Sequence, residues 1–266
     1  MEAVIRLLPY ADADGATNMA ADETLIRSAA QGIASLRFYG WTAATLSLGY
    51  FQPCVVRRAN PQLAPLPWVR RPSGGATLVH HHELTYALAL PAGSPWQAGP
   101  PWLPRMHRII AAALAEMGLA EQIESVPDMP IRHGDTLACA SGLRPYKPEA
   151  QAKKAPVLCF EQLTSGDLLC AGRKIVGSAQ RKYRQALMQH GSILLKRSEH
   201  TLALPGICES AGVALPSAQV LDAILRAFAE NTGWRMEIGH WADQEKVCIE
   251  ELVVGKFATA AWNEKR

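Results

Sequence analysis

Hydrophobic residues recur at helical spacing in several parts of the chain. A stripe that runs from Met106 to Met117 follows the i, i+3, i+4, i+7 rule and predicts an amphipathic helix. An earlier helix is predicted to begin at a cap on Thr17 or Asn18, to run through Ala30 and to stop before a glycine. Two further helices are predicted near the C-terminus, over 217–232 and 243–253.

Short runs rich in β-branched, aromatic or alternating residues predict strands between these helices. They cover 36–39, 45–48, 68–71, 85–90, 167–170, 174–176 and 189–195, with the runs at 167–170 and 174–176 forming a hairpin. Helices and strands alternate without an internal repeat or a recognisable linker. The mixture predicts an α/β protein, more strictly α+β, that forms a single domain over 1–266.

Two segments are predicted to differ from this regular core. Residues 132–156 mix Gly, Pro, Lys and Ala without any period, which predicts a long flexible loop beside the strand that follows. Residues 216–266 carry the two late helices and are expected to form a C-terminal helical part. Long loops beside functional sites often act as lids.

Composition excludes several classes of protein. A formal net charge of +3 is too balanced for a general nucleic-acid binder, and 48% hydrophobic residues suffice for a sizeable core. Six cysteines occur without a C-x-x-C pair, so neither disulfides nor structural zinc is expected. No leader-like N-terminus and no run of eighteen apolar residues is present. We therefore expect a cytoplasmic protein without a membrane partner.

Three consecutive histidines, 80–82, raise the question of a metal site. Adjacent residues of a strand point to opposite faces, so at most two of the three could converge, and we expect no metal. His80 has two interpretations of equal weight. It could orient the preceding arginine-glycine turn, or it could satisfy a buried backbone carbonyl.

The segment 159–191 concentrates residues suited to covalent chemistry. Cys159 precedes Lys174 by fifteen residues across the predicted hairpin, and Gly177 and Ser178 follow. A thiolate is the reactive form of cysteine and a nearby cation favours it, so this pattern is typical of an acyl-transfer site. The alternative is an inert core cysteine, since cysteine is among the most buried residue types.

A second segment, RRPSGG at 70–75, places a cation before two adjacent glycines. Backbone N–H groups at such a turn can bind a carbonyl, carboxylate or phosphate. A plain hairpin turn is an equally good interpretation of these residues alone.

Together these segments resemble the lipoate and biotin protein ligase superfamily. Its hallmark elements are RR-x-[ST]-GG followed by a histidine, and K-[IV]-x-G-S-A-Q followed by HG. Here they stand at 70–75 with His80, and at 174–180 with His190 and Gly191. Matching segments at 18–23 and 47–52 extend the resemblance over most of the chain in the same order.

The resemblance implies a mixed, largely antiparallel central sheet flanked by helices, with the pocket at strand ends. It also implies a set of site residues. Cys159 and Lys174 would be catalytic, and the substrate would be bound by Arg71, Ser73, Gly74, Gly75, His80, Gly177, Ser178, Ala179, Gln180, His190 and Gly191.

Two chemistries occur in this superfamily. Lipoate ligases activate free lipoate with ATP, whereas octanoyltransferases move octanoate from acyl carrier protein through a cysteine to a lysine of a lipoyl domain. Cys159, its spacing to Lys174 and the segment HELTY at 82–86 resemble the cysteine-type transferases. The chain departs from them at Ala76, and at 161–164 after the cysteine.

The preferred interpretation is an octanoyltransferase that requires no cofactor. Its partners would be acyl carrier protein and a lipoyl-domain protein, either the glycine cleavage H protein or the E2 subunit of a 2-oxoacid dehydrogenase. Basic residues at 153–154 and 181–184 could attract the acidic carrier. An ATP-dependent lipoate ligase and a non-catalytic relative that binds acyl groups remain alternatives.

Overall fold

The computed structural model describes residues 3–93, 95–127 and 158–266. The loop predicted over 132–156 lies outside these residues. Within them, the chain builds one large sheet, one small sheet and two layers of helices.

The large sheet has eight strands in the order β11-β1-β2-β6-β10-β9-β8-β7. The two pairs at the β11 end are parallel, and the other five pairs are antiparallel. The prediction of a mixed, largely antiparallel sheet is therefore confirmed. The strands are β1 Val4–Ala13, β2 Ser35–Trp41, β6 Glu83–Leu90, β7 Ile123–Ser125, β8 Leu168–Cys170, β9 Arg173–Tyr183, β10 Ala186–Leu194 and β11 Arg235–Ile238.

The small sheet has the strand order β4-β3-β5 and lies where the arginine-glycine turn begins. Its strands are β3 Thr45–Leu48, β4 Trp68–Arg70 and β5 Leu78–His80. His81 and His82 follow β5 in a bend before β6, so they are not strand residues. Their rings stack with centroids 3.6 Å apart, so the expectation that they point to opposite faces is wrong.

Helices cover both faces of the large sheet. Helix α1, Gly15–Ala29, and helix α5, Asp243–Leu252, pack against each other in one layer. Helix α2, Trp102–Leu114, and helix α4, Ser217–Thr232, form the other. Two short helices complete the set, α3 Ile207–Ala211 and α6 Ala260–Asn263.

The first helix begins earlier than its sequence pattern predicts. Its cap is Asp14, whose carboxylate accepts the amide N–H of Thr17 at 2.8 Å. Asn18 is instead fully buried, and its amide nitrogen donates to the carbonyls of Ala13 and Gly40. Asn18 thus joins the helix to strands β1 and β2 rather than capping it.

Alternation along the strands separates two cores. On β6, Leu84, Tyr86 and Leu88 belong to the core beneath α2 and α4, whereas Ala87 and Ala89 belong to the core beneath α1. This period-two pattern places polar residues of β6 and β10 on the α1 face. The candidate site lies on that face.

Residues 216–266, predicted to be helical, also contain a strand. β11 pairs in parallel with β1 at the edge of the large sheet. Helix α4 packs on α2, while α5 packs on α1. This part of the chain therefore contributes to both helical layers.

None of the helices described is both long enough and apolar enough to cross a membrane.

Candidate active site

A cavity opens on the α1 face of the large sheet, between the arginine-glycine turn and the turn that carries Cys159. It encloses about 450 Å³, its open mouth included, which is within the usual range for small-ligand sites. Its walls are Met19, Tyr39, Arg71, Gly74, Gly75, Leu78, His80, Thr85, Cys159, Gly177, Ser178, Ala179, His190, Gly191 and Ser192. Apolar side chains, glycine backbone and several polar side chains thus surround the partly exposed Cys159.

Cys159 begins a single 3₁₀ turn, Cys159–Glu161. Its amide N–H donates to the carbonyl of Thr77 at 2.8 Å, and the preceding residue forms a parallel bridge with Thr77. The next residue, Phe160, is buried and anchors the turn. The thiol is therefore presented from a turn that is fixed against the small sheet.

Lys174 lies behind this turn and does not line the cavity. Its Nζ donates to Asp167 Oδ2 at 2.6 Å, to the carbonyl of Gln162 at 3.0 Å and to the carbonyl of Cys159 at 3.4 Å. Both charged side chains are 3% exposed. An ammonium has three N–H donors, so all of them are used. Lys174 therefore holds the cysteine turn in place while Asp167 neutralises its charge.

Gly177 explains why the lysine can lie there. A Cβ at this position would be 2.7 Å from Lys174 Cε and 3.1 Å from its Nζ. Any larger residue would displace the ammonium from its three partners. The glycine of the K-[IV]-x-G-S segment thus leaves the space that the lysine side chain of the same segment occupies.

Arg71 is the second cation near Cys159, and it does line the cavity. Its guanidinium donates to the carbonyls of Ser47, Gly74 and Ala76, and to the hydroxyl of Ser47. Among the described residues no carboxylate forms an ion pair with it. Burial lowers the pKa of Arg71 to about 10, although the charge interaction with Cys159 raises it. Arg71 therefore stays charged at neutral pH.

Gly74 and Gly75 form the bend that wraps this guanidinium. Gly75 has a φ of +98°, which side-chain-bearing residues rarely adopt, and a Cβ there would lie 2.8 Å from the Arg71 Nη2 atom. No acceptor for the amide N–H of either glycine is found in the described part of the chain. Both amides are therefore suited to binding an oxyanion.

His80 supports Arg71 through Ser47. Its Nε2 lies 2.7 Å from the Ser47 hydroxyl oxygen, and its Nδ1 lies 2.6 Å from Glu83 Oε1. Glu83 also accepts hydrogen bonds from the hydroxyls of Thr85 and Ser192. Of the two interpretations left open, His80 thus fits orientation of the arginine-glycine turn.

His190 ties the same turn to helix α1. Its Nδ1 lies 2.9 Å from Asp22 Oδ2, and its Nε2 contacts the hydroxyl of Ser73. Asp22 is fully buried and is also paired with Arg37 at 2.9 Å. The Asp22 carboxylate orients the imidazole, which in turn positions the residue before Gly74.

Ser178 belongs to a hydrogen-bond chain that runs beneath the cavity. Its hydroxyl bonds to His107 Nε2, while His107 Nδ1 donates to the carbonyl of Gly166 at 2.6 Å. Burial lowers the pKa of His107, with the Gly166 carbonyl opposing the shift. The neutral imidazole therefore accepts a hydrogen bond from the Ser178 hydroxyl, and the Tyr86 hydroxyl donates to the Ser178 oxygen at 2.6 Å. The hydroxyl proton is not available to a substrate.

The cavity brings together ten of the thirteen residues predicted from sequence. Ser73 and Lys174 lie behind its wall, where they position other groups. Gln180 lies off the cavity wall, and its amide donates to Gln189. Sequence reasoning assigned no role to Asp167, Asp22, Glu83 and His107. Asp22 and Glu83 stand inside the matching segments at 18–23 and 82–86, whereas Asp167 and His107 had no such signal.

Comparisons with known proteins identify the family of the chain. A model of the lipoyl protein ligase A/B catalytic domain family matches residues 14–204. The chain is 29% identical to "Octanoyltransferase LipM" of Halalkalibacterium halodurans, over 98% of this chain and 99% of that protein. It is also 29% identical to the protein of the same name from Kyrpidia tusciae, over 98% of each chain.

Solved structures show the same fold. A putative lipoate protein ligase from T. acidophilum superposes with a TM-score of 0.74 at 18% identity, covering 100% of both chains. A lipoate-protein ligase A bound with ATP superposes with a TM-score of 0.70 at 18% identity, covering 99% of both chains. The family match spans most of the cavity-forming segments. The chain therefore belongs to the lipoyl protein ligase A/B catalytic domain family.

Proposed function

We propose that this protein is an octanoyltransferase of lipoate biosynthesis that carries the acyl group on Cys159. The observation that carries the proposal is the cavity, in which a partly exposed thiol faces an apolar wall, a buried arginine and the Gly74–Gly75 bend. Relatives that match almost the whole chain bear the name octanoyltransferase. The activity is therefore acyl transfer.

In the first half-reaction, the Cys159 thiolate attacks the thioester carbon of an octanoyl group on acyl carrier protein. The new carbon–sulfur bond to Cys159 forms as the bond to the carrier sulfur breaks. The carrier thiolate leaves and takes up a proton from water. The product is an octanoyl-enzyme with no change of oxidation state.

In the second half-reaction, the neutral amine of an acceptor lysine attacks the thioester on Cys159. A carbon–nitrogen bond forms, the bond to Cys159 breaks and releases the Cys159 thiolate, and the amine loses one proton to water. The acceptor would be a lysine of a lipoyl-domain protein, such as the glycine cleavage H protein or the E2 subunit of a 2-oxoacid dehydrogenase. Thioester aminolysis is favourable, so neither ATP nor another cofactor is required.

The described residues have distinct roles in these steps. Arg71 is a charged neighbour that no carboxylate pairs with in the part of the chain that the structure describes, so it stabilises the thiolate and the developing oxyanion. The amides of Gly74 and Gly75 would bind that oxyanion, each donor typically contributing about 2.7–4 kcal/mol. Lys174 is a positioning residue that holds the cysteine turn through two carbonyls.

Exposed basic residues near the site could guide the carrier. Lys182 and Arg184 lie at the exposed β9–β10 turn, whereas Arg181 is paired with Glu23 at 2.9 Å. Within the described ranges no carboxylate pairs with Lys182 or Arg184, and two such positive charges are suited to the acidic surface of acyl carrier protein or to its pantetheine phosphate. The predicted contribution of Lys153 and Lys154 lies outside the described residues.

Incubation with octanoyl-acyl carrier protein, without acceptor or ATP, tests the proposal by intact mass spectrometry. The wild type should gain about 126 Da, one octanoyl group in place of the thiol hydrogen. Cys159→Ala should gain nothing, whereas Cys208→Ala, which alters another partly buried cysteine, should behave like the wild type.

A different result would favour the alternatives. Acceptor modification that needs ATP and free octanoate, and that survives Cys159→Ala, would make the protein a ligase. Absence of both the adduct and acceptor modification would make it a non-catalytic acyl-binding relative. Likeness in fold to lipoate ligases does not decide between these outcomes, because ligases and transferases share this fold.

A further inference from the structure

A cluster of imidazoles and one carboxylate lies outside the cavity, at the surface beside the cysteine turn. It comprises His81 and His82, which follow β5, and Glu199 and His200, which follow β10. Candidate ligand atoms of His81, His82 and Glu199 all lie within 4.8 Å of one another. None of the four residues has a role in the proposed acyl transfer.

The backbone holds the two segments of the cluster together. The carbonyl of His82 accepts the amide N–H groups of Leu195 at 3.2 Å and Lys196 at 3.0 Å. Ser198 is buried, and its hydroxyl lies 3.1 Å from His81 Nδ1. The histidine bend and the segment after β10 are therefore fixed relative to each other, and only side-chain rotation is needed to adjust the ligand atoms.

The spacing of the polar atoms is wider than hydrogen bonding requires. Glu199 lies 3.5 Å from His81 Nδ1, 3.9 Å from His82 Nε2 and 3.8 Å from His200 Nε2. Good hydrogen bonds between such groups measure about 2.7–3.2 Å. Two ligands of a tetrahedral ion with bonds of 2.0–2.1 Å are about 3.3 Å apart. The candidate ligand atoms of His81, His82 and Glu199 thus lie near one another without forming good hydrogen bonds to one another.

The types of donor atom in the cluster also suit a cation. Imidazoles with one carboxylate form a donor set that zinc, copper and nickel ions prefer over calcium or magnesium.

We propose that His81, His82 and Glu199 bind a divalent transition-metal ion of the zinc class. His81 and His82 also line a narrow cleft, together with Cys159 and Phe160. An ion held by the histidines would therefore lie at the wall of a cleft that the cysteine turn also lines. The site is independent of the catalytic assignment.

Binding of Zn²⁺ to the metal-stripped full-length protein tests the proposal, by competition with a chromophoric chelator. The wild type should bind one ion per chain at this site. His82→Ala and Glu199→Gln should each weaken that binding at least tenfold. Both side chains are substantially exposed, so both variants should fold. His240→Ala, which removes an exposed histidine outside the cluster, should bind like the wild type.

Cysteine thiolate is the competing ligand and needs its own control. Cys159→Ser should retain the ion, and Co²⁺ bound to the protein should lack the intense near-ultraviolet band of cobalt–thiolate bonds. Equal affinity in the wild type, His82→Ala and Glu199→Gln overturns the proposal. Loss of the ion in Cys159→Ser, with retention in both cluster variants, overturns it as well.

Discussion

Two buried cations lie near the candidate nucleophile Cys159, and their hydrogen-bond partners differ in charge. Lys174 donates to a carboxylate, Asp167, and to two carbonyls of the cysteine turn. Arg71 uses its N–H groups on carbonyl oxygens and one hydroxyl, all of them uncharged. Both groups have their hydrogen bonds satisfied. Only Arg71 lacks a negative partner among the described residues.

The difference separates positioning from electrostatics. A cation already paired with a carboxylate has little net field to offer a thiolate, whereas an unpaired buried cation acts at full strength in a low-dielectric site. Lys174 would then determine where the sulfur lies, and Arg71 would stabilise the negative charge that develops during the reaction. Substitutions that change one cation and spare the other should produce different effects.

The largest expected effect is on stability, in Asp167→Asn. This change leaves the ammonium of Lys174 buried without its carboxylate, which typically costs about 3–5 kcal/mol of unfolding free energy. Chemical denaturation should measure the loss. The double variant Asp167→Leu/Lys174→Met removes both charges and should recover most of it. A single variant as stable as the wild type would show that the pair is not buried as described.

Arg71→Met should have the next largest effect, on chemistry. Loss of the unpaired charge should slow acyl-enzyme formation by about 10²–10³-fold, and should slow alkylation of Cys159 by iodoacetamide at neutral pH. Arg71→Lys keeps the charge and should recover part of both rates. The double variant Asp167→Leu/Lys174→Met, which removes the other buried cation, is the control. If it slowed alkylation more than Arg71→Met does, the assignment of the two cations would be reversed.

Gly177→Ala tests the positioning role alone. The new methyl group would crowd Lys174 Cε and shift the ammonium away from the cysteine turn. Because small displacements of a reacting group are costly, acyl-enzyme formation should fall about 10- to 100-fold. Gly255→Ala, where a Cβ meets nothing within 4 Å, should leave the rate unchanged. Equal rates in the two variants would remove the argument for Gly177.

The smallest effect is expected at His107, a buried group that stays uncharged. Because burial lowers its pKa in the folded protein, the unfolded chain binds the proton more readily. Its contribution to stability is complete above the unfolded pKa of about 6.5 and is lost as pH falls through the lower folded value.

His107→Gln should therefore cost about 1 kcal/mol at pH 8, where the wild type keeps both imidazole hydrogen bonds. The difference between the two proteins should shrink as pH falls below 6.5. Thermal unfolding of both at a series of pH values measures this. A constant difference across the series would mean that His107 is not the titrating group.

The sequence predicted which residues form the site better than it predicted how their charges are paired. Cys159, Lys174 and the two glycine segments were identified by residue type and spacing, and the cavity brings most of them together. The partner of Lys174 could not be inferred, because it depends on the hairpin. A register shift between Leu168 and Leu169 on β8 accompanies the approach of Asp167 to the lysine.

Elements at the edges of the sheets were harder to predict than those at the centre. β11 is four residues long and mostly exposed, and β1 contains a proline and an exposed second half, PYADA, so neither carries a clear alternating pattern. His81 and His82 were assigned to a strand because the bend between β5 and β6 has no glycine or proline to mark it.

The most direct test of the account is whether an octanoyl group on Cys159 is an intermediate. Octanoyl-enzyme would be isolated after reaction with octanoyl-acyl carrier protein, freed of the carrier, and mixed with a lipoyl domain without ATP. Intact mass spectrometry should show one octanoyl group lost from the enzyme for each one gained by the domain, at a rate no slower than steady-state turnover. An acyl-enzyme that persists, or that only hydrolyses, while turnover with the carrier proceeds would contradict the account.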